Sequence, residues 1–288
     1  MRTCSDMSTD IRAFQIFYDE ETRLSLDRDF EALDNTKSER PDWYEYWAIR
    51  NYLLQNELQE STFYGFLSPR FFEKTRLTGA QVKEFVRRSS EADIVTFSPL
   101  PCQGACFMNV FEQGEFFHRG LFDLATQFFA RVDPRIKLNA LVTHSRNTVF
   151  ANFFLAKPVF WRTWKGVFDQ LFELAETPGS PLYARLNLAT DHRGKTVTPM
   201  KIFVMERAVS FLLVSLEVLR VWNFPPFQIP VAKYMEGRVP EIVMLDALKI
   251  ALSQTADPDY VRLYMQLRDK VLASARSVEE NELAGARA

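Results

Sequence analysis

The chain has 288 residues, of which 47% are hydrophobic and 25% charged, a balance typical of globular proteins and unlike that of disordered ones. Its net charge is −2 and its basic residues are dispersed, so nothing favours nucleic acid or an anionic membrane as the partner. The 26 Phe, 9 Tyr and 5 Trp predict a ring-rich core, and rings that line a concave site suit sugars and nucleobases.

Strands and helices alternate in the first part of the chain. Residues 13–19 predict a short buried strand, and the charged, turn-rich segment 27–42 predicts a loop. Pro41 predicts the start of a helix whose apolar residues recur at helical spacing. The ring-rich segment "STFYGFLSPRF" predicts a strand in which Gly65 permits a close backbone approach, and Ser68-Pro69 ends it.

The same alternation continues further along. Thr78-x-x-Gln81 is a capping-box pattern that predicts a helix start. Residues 92–101 predict a strand and turn, residues 122–129 a helix, and residues 148–158 a further strand. Pro158 predicts the start of a helix with a Trp/Phe stripe. Residues 200–205 predict a short strand or turn, residues 208–221 a long helix, and mainly helical segments follow residue 230. This order predicts an α/β domain with a mixed sheet and a helix-rich C-terminal appendage.

Familiar catalytic motifs are missing from the sequence. It has no Gly-x-Gly-x-x-Gly, P-loop, Gly-x-Ser-x-Gly or His-Glu-x-x-His pattern. Cys102 and Cys106, with His118 nearby, would form at most a partial zinc site that lacks one ligand. Together with Cys4, they are better interpreted as reduced, buried cysteines, and their odd number fits a reducing compartment.

The apolar segments predict a cytoplasmic protein. The N-terminus has no apolar region of the kind found in signal peptides. The longest apolar stretch, near residues 208–221, is interrupted by Glu217 and Arg220, and is too short to span a bilayer. Peripheral contact with the inner membrane is left open.

Four stretches, read in order, resemble a known family. They are "LDNTKSERPDWYEYWAIRNYLLQN", "TFYGFLSPRF", "NTVFANFFLAKPVFWRTWKGVFDQLFELAE" and "MKIFVMERAVSFLL". Their order and spacing, from about Ile16 to Trp222, resemble a bacterial family of GT-A-like glycosyltransferases found with capsule, exopolysaccharide and lipopolysaccharide synthesis. The resemblance implies a single GT-A-like domain over residues 1–224, with a central mixed sheet flanked by helices. Residues 225–288 form the helical appendage outside it.

The family implies transfer of a sugar from a nucleotide-sugar donor to a hydroxyl of a saccharide or glycolipid acceptor. The donor is expected near the first strand and the acceptor against the C-terminal half of the sheet. By this resemblance Glu206, ahead of the last apolar helix, is the base of an inverting reaction. The alternatives for Glu206 are an ion pair with Arg207 or Arg220, or a helix cap.

The expected donor contacts come from the matching loops and the aromatic helix. They are Asp19, Asp34, Asn35, Thr36, Glu45, Arg50, Ser68 and Arg70. An Asx-turn is the alternative for Asp34 and Asn35, and exposed ion pairing for Glu45 and Arg50. The expected acceptor contacts are Glu112, His118, Arg146 and Asn152; a structural role is the alternative for His118 and a salt bridge for Arg146.

The sequence departs from many GT-A enzymes at Ser68-Pro69-Arg70, which has no Asp-x-Asp to hold a divalent metal. Arg70 could neutralise the leaving diphosphate instead, so no metal ligands are assigned, although manganese or magnesium is left open. Asp27-x-Asp29 and Asp257-x-Asp259 do not lie at the position in the sequence where the family has its metal site. They are interpreted as loops or helix caps. A second hypothesis is a non-catalytic protein that binds a sugar or nucleotide, and a third is an interaction module or contact between copies of the chain.

Overall fold

The computed structural model describes residues 9–192 and 196–285. The strands are β1 (Ile11–Phe17), β2 (Glu31–Asp34), β3 (Phe63–Leu67), β4 (Ile94–Thr96), β5 (Phe154–Ala156), β6 (Ala189–His192), β7 (Thr196–Pro199) and β8 (Val221–Asn223). The helices are α1 (Glu20–Leu24), α2 (Glu45–Gln55), α3 (Phe71–Thr75), α4 (Gly79–Arg88), α5 (Pro101–Cys106), α6 (Val110–Phe117), α7 (Leu121–Val132), α8 (Pro158–Glu176), α9 (Tyr183–Leu186), α10 (Met200–Met205), α11 (Ala208–Ser215), α12 (Val239–Thr255) and α13 (Pro258–Gly285). Short 3-10 turns cover Pro41–Trp43, Pro226–Gln228 and Lys233–Arg238.

One mixed sheet organises the described part of the chain, which confirms the predicted α/β class. Its strand order is β2-β1-β3-β5-β4-β8, and β6 and β7 form a separate hairpin. β1 pairs in parallel with β2 and β3, so the strand order reverses at β1. β5 runs antiparallel to β3 and β4, and β8 is parallel to β4. Five strands therefore end at the edge where β5 begins, which we call the carboxyl edge.

The core is built from rings, as the composition predicts. Side chains alternate across each strand, so Phe14 and Ile16 of β1 face one cluster while Ala13 faces the other. The first cluster joins the sheet to α2, α6, α7, α8, α10 and α11, and the second joins it to α3 and α4. Trp43 and Trp164 have no exposed surface.

Gly65 brings two strands into close contact, as predicted. A Cβ atom at this position would lie 2.5 Å from Leu155 Cγ on the neighbouring β5. Because no real Cβ contact is that short, a larger residue would displace the Leu155 side chain.

Three local predictions are wrong. The predicted loop 27–42 contains β2, a charged edge strand whose pairing with β1 overrides its low strand propensity. Residues 200–205 form the helix α10, and all six side chains are buried, so no periodicity distinguished a helix from a strand. The helix predicted to reach residue 221 ends at Ser215, and Val221 begins β8 beside β4.

The predicted helical C-terminal part is confirmed in α12 and α13. These helices share a buried cluster with α5 that includes Cys102, Cys106, Ile242 and Tyr264. Both cysteines are free and buried, as predicted, and burial raises the pKa of Cys106 to about 12. Cys4 lies outside the described residues. None of the helices in the described ranges is long and apolar enough to cross a lipid bilayer.

Candidate functional site

Two glutamates, Glu45 and Glu206, lie in the same region at the carboxyl edge of the sheet. Glu45 is the first residue of α2, and Glu206 joins α10 to α11. The pKa of Glu45 is raised to about 7, mainly by desolvation and to a smaller extent by the charge of Glu206, while the charge of Lys74 opposes the shift. This charge effect indicates that the two side chains lie in the same part of the molecule. Glu45 is half-buried, and the Glu206 side chain is 34% exposed.

Tyrosines on both sides connect this carboxylate pair to the strand ends. Tyr18 directly follows β1, and its pKa is raised by burial and by the charge of Glu45. Tyr46 is buried; desolvation raises its pKa, and the charges of Glu45 and Glu206 add to the shift. Both hydroxyls therefore stay protonated and can act as hydrogen-bond donors.

Asn152 extends the site from the other side, because it lies just before β5. Its side-chain Nδ2 donates a 2.9 Å hydrogen bond to the Tyr46 hydroxyl. The residue is only 3% exposed, and its Oδ1 has no hydrogen-bond partner within the described residues. An orphaned buried acceptor is costly, and it marks a place where a ligand group or a water molecule can donate.

Uncommon backbone conformations border the same site. Tyr44, directly before Glu45, has a φ of 50° and a ψ of −134°. Ala151 and Asn152 have φ values of 58° and 55°. Such conformations in residues other than glycine cost free energy and are concentrated at functional sites. Here they hold Glu45 and Asn152 at the carboxyl edge.

Arg207 explains the charged pair at the junction of α10 and α11. Its side chain is 4% exposed and donates to the carbonyl oxygens of Val110 (3.0 Å) and Phe203 (2.7 Å) and to Gln113 Oε1 (2.7 Å). Arg207 therefore anchors α6 to the junction. Its Nη1 also lies 3.3 Å from Glu206 Oε2, and the Glu206 side chain remains 34% exposed. The ion pair expected as an alternative for Glu206 is thus made with Arg207, whereas Arg220 pairs with Glu91 and Asp93.

Several expected donor contacts form local turns and caps. Asp19 caps α1 by accepting a 2.7 Å bond from Thr22 N, and this bond holds the pKa of Asp19 below its usual range. Asp34 forms the anticipated Asx-turn by accepting from Thr36 N at 2.8 Å. Asn35 donates from its backbone to Phe17 at the end of β1. All these residues are at the carboxyl edge.

The two expected donor-binding arginines are already paired. Arg50 extends from α2 to α8. Its Nε lies 3.5 Å from Asp169 Oδ1, and its guanidinium lies over the Phe172 ring. Arg70 forms a bidentate, exposed pair with Glu73 at 2.6 and 2.7 Å. Exposed pairs contribute little stability, so a phosphate could replace Glu73 at Arg70. Ser68 precedes this turn, and its carbonyl accepts from Gln15 Nε2.

The four expected acceptor contacts have different surroundings. Glu112 accepts from Met108 N and pairs with Arg268 at 3.1 Å. His118 is buried and stacks on Phe203, with ring centroids 3.5 Å apart. Arg146 is exposed, near the end of β8. Asn152 is the expected acceptor contact that reaches the site, through its hydrogen bond to Tyr46.

Acidic groups that could ligate a metal do not converge here. No group of three His, Cys, Asp or Glu side chains within the described ranges is arranged to hold an ion. Asp27 accepts from Gly79 N at the start of α4, and Asp257 accepts from Asp259 N at the start of α13. The two Asp-x-Asp sequences therefore occupy loops and helix caps.

Sequence reasoning did not identify Tyr18, Tyr46 or Lys74 as part of the site. Tyr46 follows Glu45 directly, so its place in the aromatic helix was a usable signal. Lys74 had none, because its effect on Glu45 comes from the position of α3 beyond the end of β3, at the carboxyl edge.

In comparisons with known proteins, the chain matches no family model, and no curated protein or solved structure is significantly similar to it.

Proposed function

We propose that the protein is a glycosyltransferase that moves a sugar from a nucleotide-sugar donor to a saccharide or glycolipid hydroxyl in bacterial surface-polysaccharide synthesis. The observation that carries this proposal is the Glu45–Glu206 pair at the carboxyl edge. Ligands of α/β sheets bind beyond the carboxyl ends of strands, next to the point where strand order reverses, and here that point is β1.

Glu206 is the proposed base of an inverting reaction. The acceptor hydroxyl gives its proton to Glu206 while its oxygen forms a bond to the anomeric carbon of the sugar. The bond from that carbon to the diphosphate breaks, and the diphosphate leaves with the electron pair. Burial raises the pKa of Glu45 to about 7, so Glu45 is a carboxyl group close to the proposed base that can hold a proton at neutral pH.

The leaving diphosphate needs positive charge, and the chain offers it on α3 and the preceding turn. Lys74 acts electrostatically on Glu45, and Arg70 lies one helical turn before it. Their charges would neutralise the developing phosphate charge. The described residues do not fit a carboxylate-bound metal, so no step is assigned to one. The protein is proposed to act in the cytoplasm, with peripheral contact at the inner membrane as a variant.

A specific observation favours the alternative of a non-catalytic sugar- or nucleotide-binding protein with a degenerate GT-A fold. The turn at Ser68-Pro69-Arg70 offers no acidic pair, and Arg70 is held by Glu73. A relative that had lost its metal site would look like this.

Thermal unfolding in the presence of UDP-, GDP-, CMP- and dTDP-sugars, each with manganese and with EDTA, tests the proposal. A ligand at one hundred times its Kd adds about 2.7 kcal/mol, which raises the Tm by several degrees at roughly 2–4 °C per kcal/mol. A shift in EDTA with one nucleotide supports a metal-independent transferase. No shift with any donor opposes the proposal.

Turnover separates the transferase from the binding protein. With the donor that shifts the Tm, Glu206→Gln should lower kcat about 10²–10⁴-fold and retain the shift. The exposed Glu217→Gln is the matched control and should keep full activity. Donor binding without transfer in the wild type would favour the non-catalytic alternative.

A further inference from the structure

A cavity of about 480 Å³ opens between the segment that follows β2 and one face of α2. We call it the α2 cavity. Its loop side includes Asp34 and Asn35, and its helix side includes Trp47, Asn51, Tyr52 and Gln55. The volume lies within the range of small-molecule sites in proteins.

Free amide groups dominate the hydrogen-bonding capacity of the helix side. Asn51 and Gln55 are one helical turn apart on α2, and neither side chain bonds to another group within the described part of the chain. An amide offers two donors and an acceptor, and therefore matches ligand groups that both donate and accept, as hydroxyls do. The rings of Trp47 and Tyr52 add apolar surface for the edges of a ligand ring.

The charge of the cavity disfavours phosphate. Its lining includes the carboxylates of Asp34 and Glu39 but only one ammonium group, that of Lys37. Hydrogen bonding to Thr36 holds the pKa of Asp34 below its usual range, so its carboxylate is ionised at neutral pH. A phosphate placed here would meet more negative than positive charge, and an uncharged ligand would not.

The cavity adjoins the carboxylate site through Asn35. The Asn35 side chain reaches the Tyr44 carbonyl at 3.5 Å, and Tyr44 directly precedes Glu45. The backbone N–H of Asn35 donates to Phe17 at the end of β1. A ligand in the α2 cavity would therefore lie beside the strand end at which the proposed reaction takes place.

We propose that the α2 cavity binds an uncharged, hydroxyl-bearing ring, with any phosphate directed out of the cavity towards the carboxyl edge. This inference rests on the proposed function and deepens it. Such a ring is either the nucleoside part of the donor or a sugar ring of a glycan, and the two sources share the chemistry that the amides recognise.

Free nucleosides and free sugars test this directly, because neither carries a phosphate or needs turnover. Uridine, cytidine, guanosine and thymidine form one arm, and glucose and galactose the other, at concentrations up to about 10 mM, tenfold above a millimolar Kd. Trp47 lines the cavity, so its fluorescence reports binding, and Trp47→Phe identifies its part of the signal. A saturable change in one arm is expected and identifies the source.

Matched variants locate the binding. The double substitution Asn51→Ala and Gln55→Ala should weaken binding about tenfold, because it removes two polar contacts from a helix that alanine favours. Gln127→Ala removes an exposed helical amide elsewhere and should leave the Kd unchanged. The proposal would be overturned if neither the nucleosides nor the sugars bind saturably. Equal Kd values for the wild type, the double variant and Gln127→Ala would also overturn it.

The outcome is separable from that of the proposed function. Suppose that the protein binds a nucleoside, that the double variant loses this binding, and that no sugar is transferred. This result would support the cavity proposal and contradict the transferase proposal. Sugar transfer in which the double variant changes neither the donor KM nor the acceptor KM would support the transferase proposal and refute the cavity proposal.

Discussion

The side chain of Asn152 donates a 2.9 Å hydrogen bond to the Tyr46 hydroxyl from a backbone that has a φ of 55°. One residue thus combines a buried contact at the carboxylate site with a left-handed conformation. Asparagine tolerates that conformation better than most residues, whereas alanine does not. The geometry therefore predicts which replacement the position accepts.

Replacing Asn152 by alanine and by glycine should give different stabilities. Both variants lose the bond to Tyr46, but only alanine places a Cβ in the left-handed region, at a cost of roughly 1–2 kcal/mol. We expect Asn152→Ala to be less stable than Asn152→Gly by about 1 kcal/mol in urea unfolding. Ala151→Gly, at a φ of 58°, is the companion variant and should not destabilise the protein. Equal stability of the two Asn152 variants would contradict the assigned strain.

Removing the charge of Glu45 should stabilise the protein at higher pH. Its pKa is about 7 in the folded protein against an ordinary value of 4.5. Below pH 4.5 its contribution to stability is complete, and it is lost as the pH rises through 7, because the folded state binds more protons in this interval. Glutamine does not ionise. Glu45→Gln should therefore gain stability over the wild type, by at most about 3 kcal/mol, as the pH rises from about 4.5 to about 8.

Urea unfolding at a series of pH values measures this difference. Glu57→Gln, which changes an exposed glutamate just after α2, is the control and should show a difference independent of pH. A constant difference for Glu45→Gln as well would mean that Glu45 is solvated like a surface residue.

Short sequence patterns correctly predicted the starts of two helices, because the contacts that define a helix start are local. Thr78 and Gln81 exchange the two bonds of the predicted capping box at the start of α4. Pro158 is the first residue of α8, as predicted. Such contacts depend on neighbours within one turn, so a short pattern specifies them.

The candidate site could be predicted only in part, because its contacts are distant in the chain. Asn152 and Tyr46 meet through the packing of β5 against α2 and α8, and no spacing in the sequence encodes that contact. The same holds for β8, which is a strand because it lies beside β4. Glu45 was selected by family resemblance, but its desolvation depends on the assembled fold.

Lys249 should stabilise the packing of α12 on α5, and more so at higher pH. Its side chain is fully buried and donates to the carbonyl oxygens of Gly104, at 2.6 Å, and Phe107. Lys249→Met leaves both carbonyls without this donor, so we expect a loss of about 2–4 kcal/mol near pH 9.

The pH dependence follows from burial, which lowers the pKa of Lys249 from 10.5 to about 7. Between these values the unfolded chain binds more protons, so the stability of the wild type rises with pH, by up to about 1.4 kcal/mol per pH unit. The advantage over Lys249→Met should shrink as the pH falls from 9 towards 7. Lys270→Met, on the exposed face of α13, is the control. A difference that stays constant between pH 7 and pH 9 would show that the buried ammonium stays charged.

A buried lysine on α10 should stabilise the helix that leads to Glu206. Lys201 is 2% exposed, and its Nζ lies 2.6 Å from Asp42 Oδ2 and 3.0 Å from Asn187 Oδ1. It also lies 4.4 Å from the centre of the Trp43 ring. Removing one partner of a buried ion pair costs about 3–5 kcal/mol. Because Asp42 keeps its 2.9 Å pair with Arg40, we expect Lys201→Met to cost somewhat less, about 2–4 kcal/mol.

Lys165→Met is the matched control for this prediction. Lys165 also pairs with a carboxylate, Asp169, at 2.5 Å, but its side chain is 29% exposed and carries a smaller desolvation cost. Pairs of this kind contribute about 0–1 kcal/mol, so urea unfolding should separate the two variants clearly. If the losses were equal, Lys201 would contribute no more than a surface pair, and the position of α10 would depend on its apolar contacts alone.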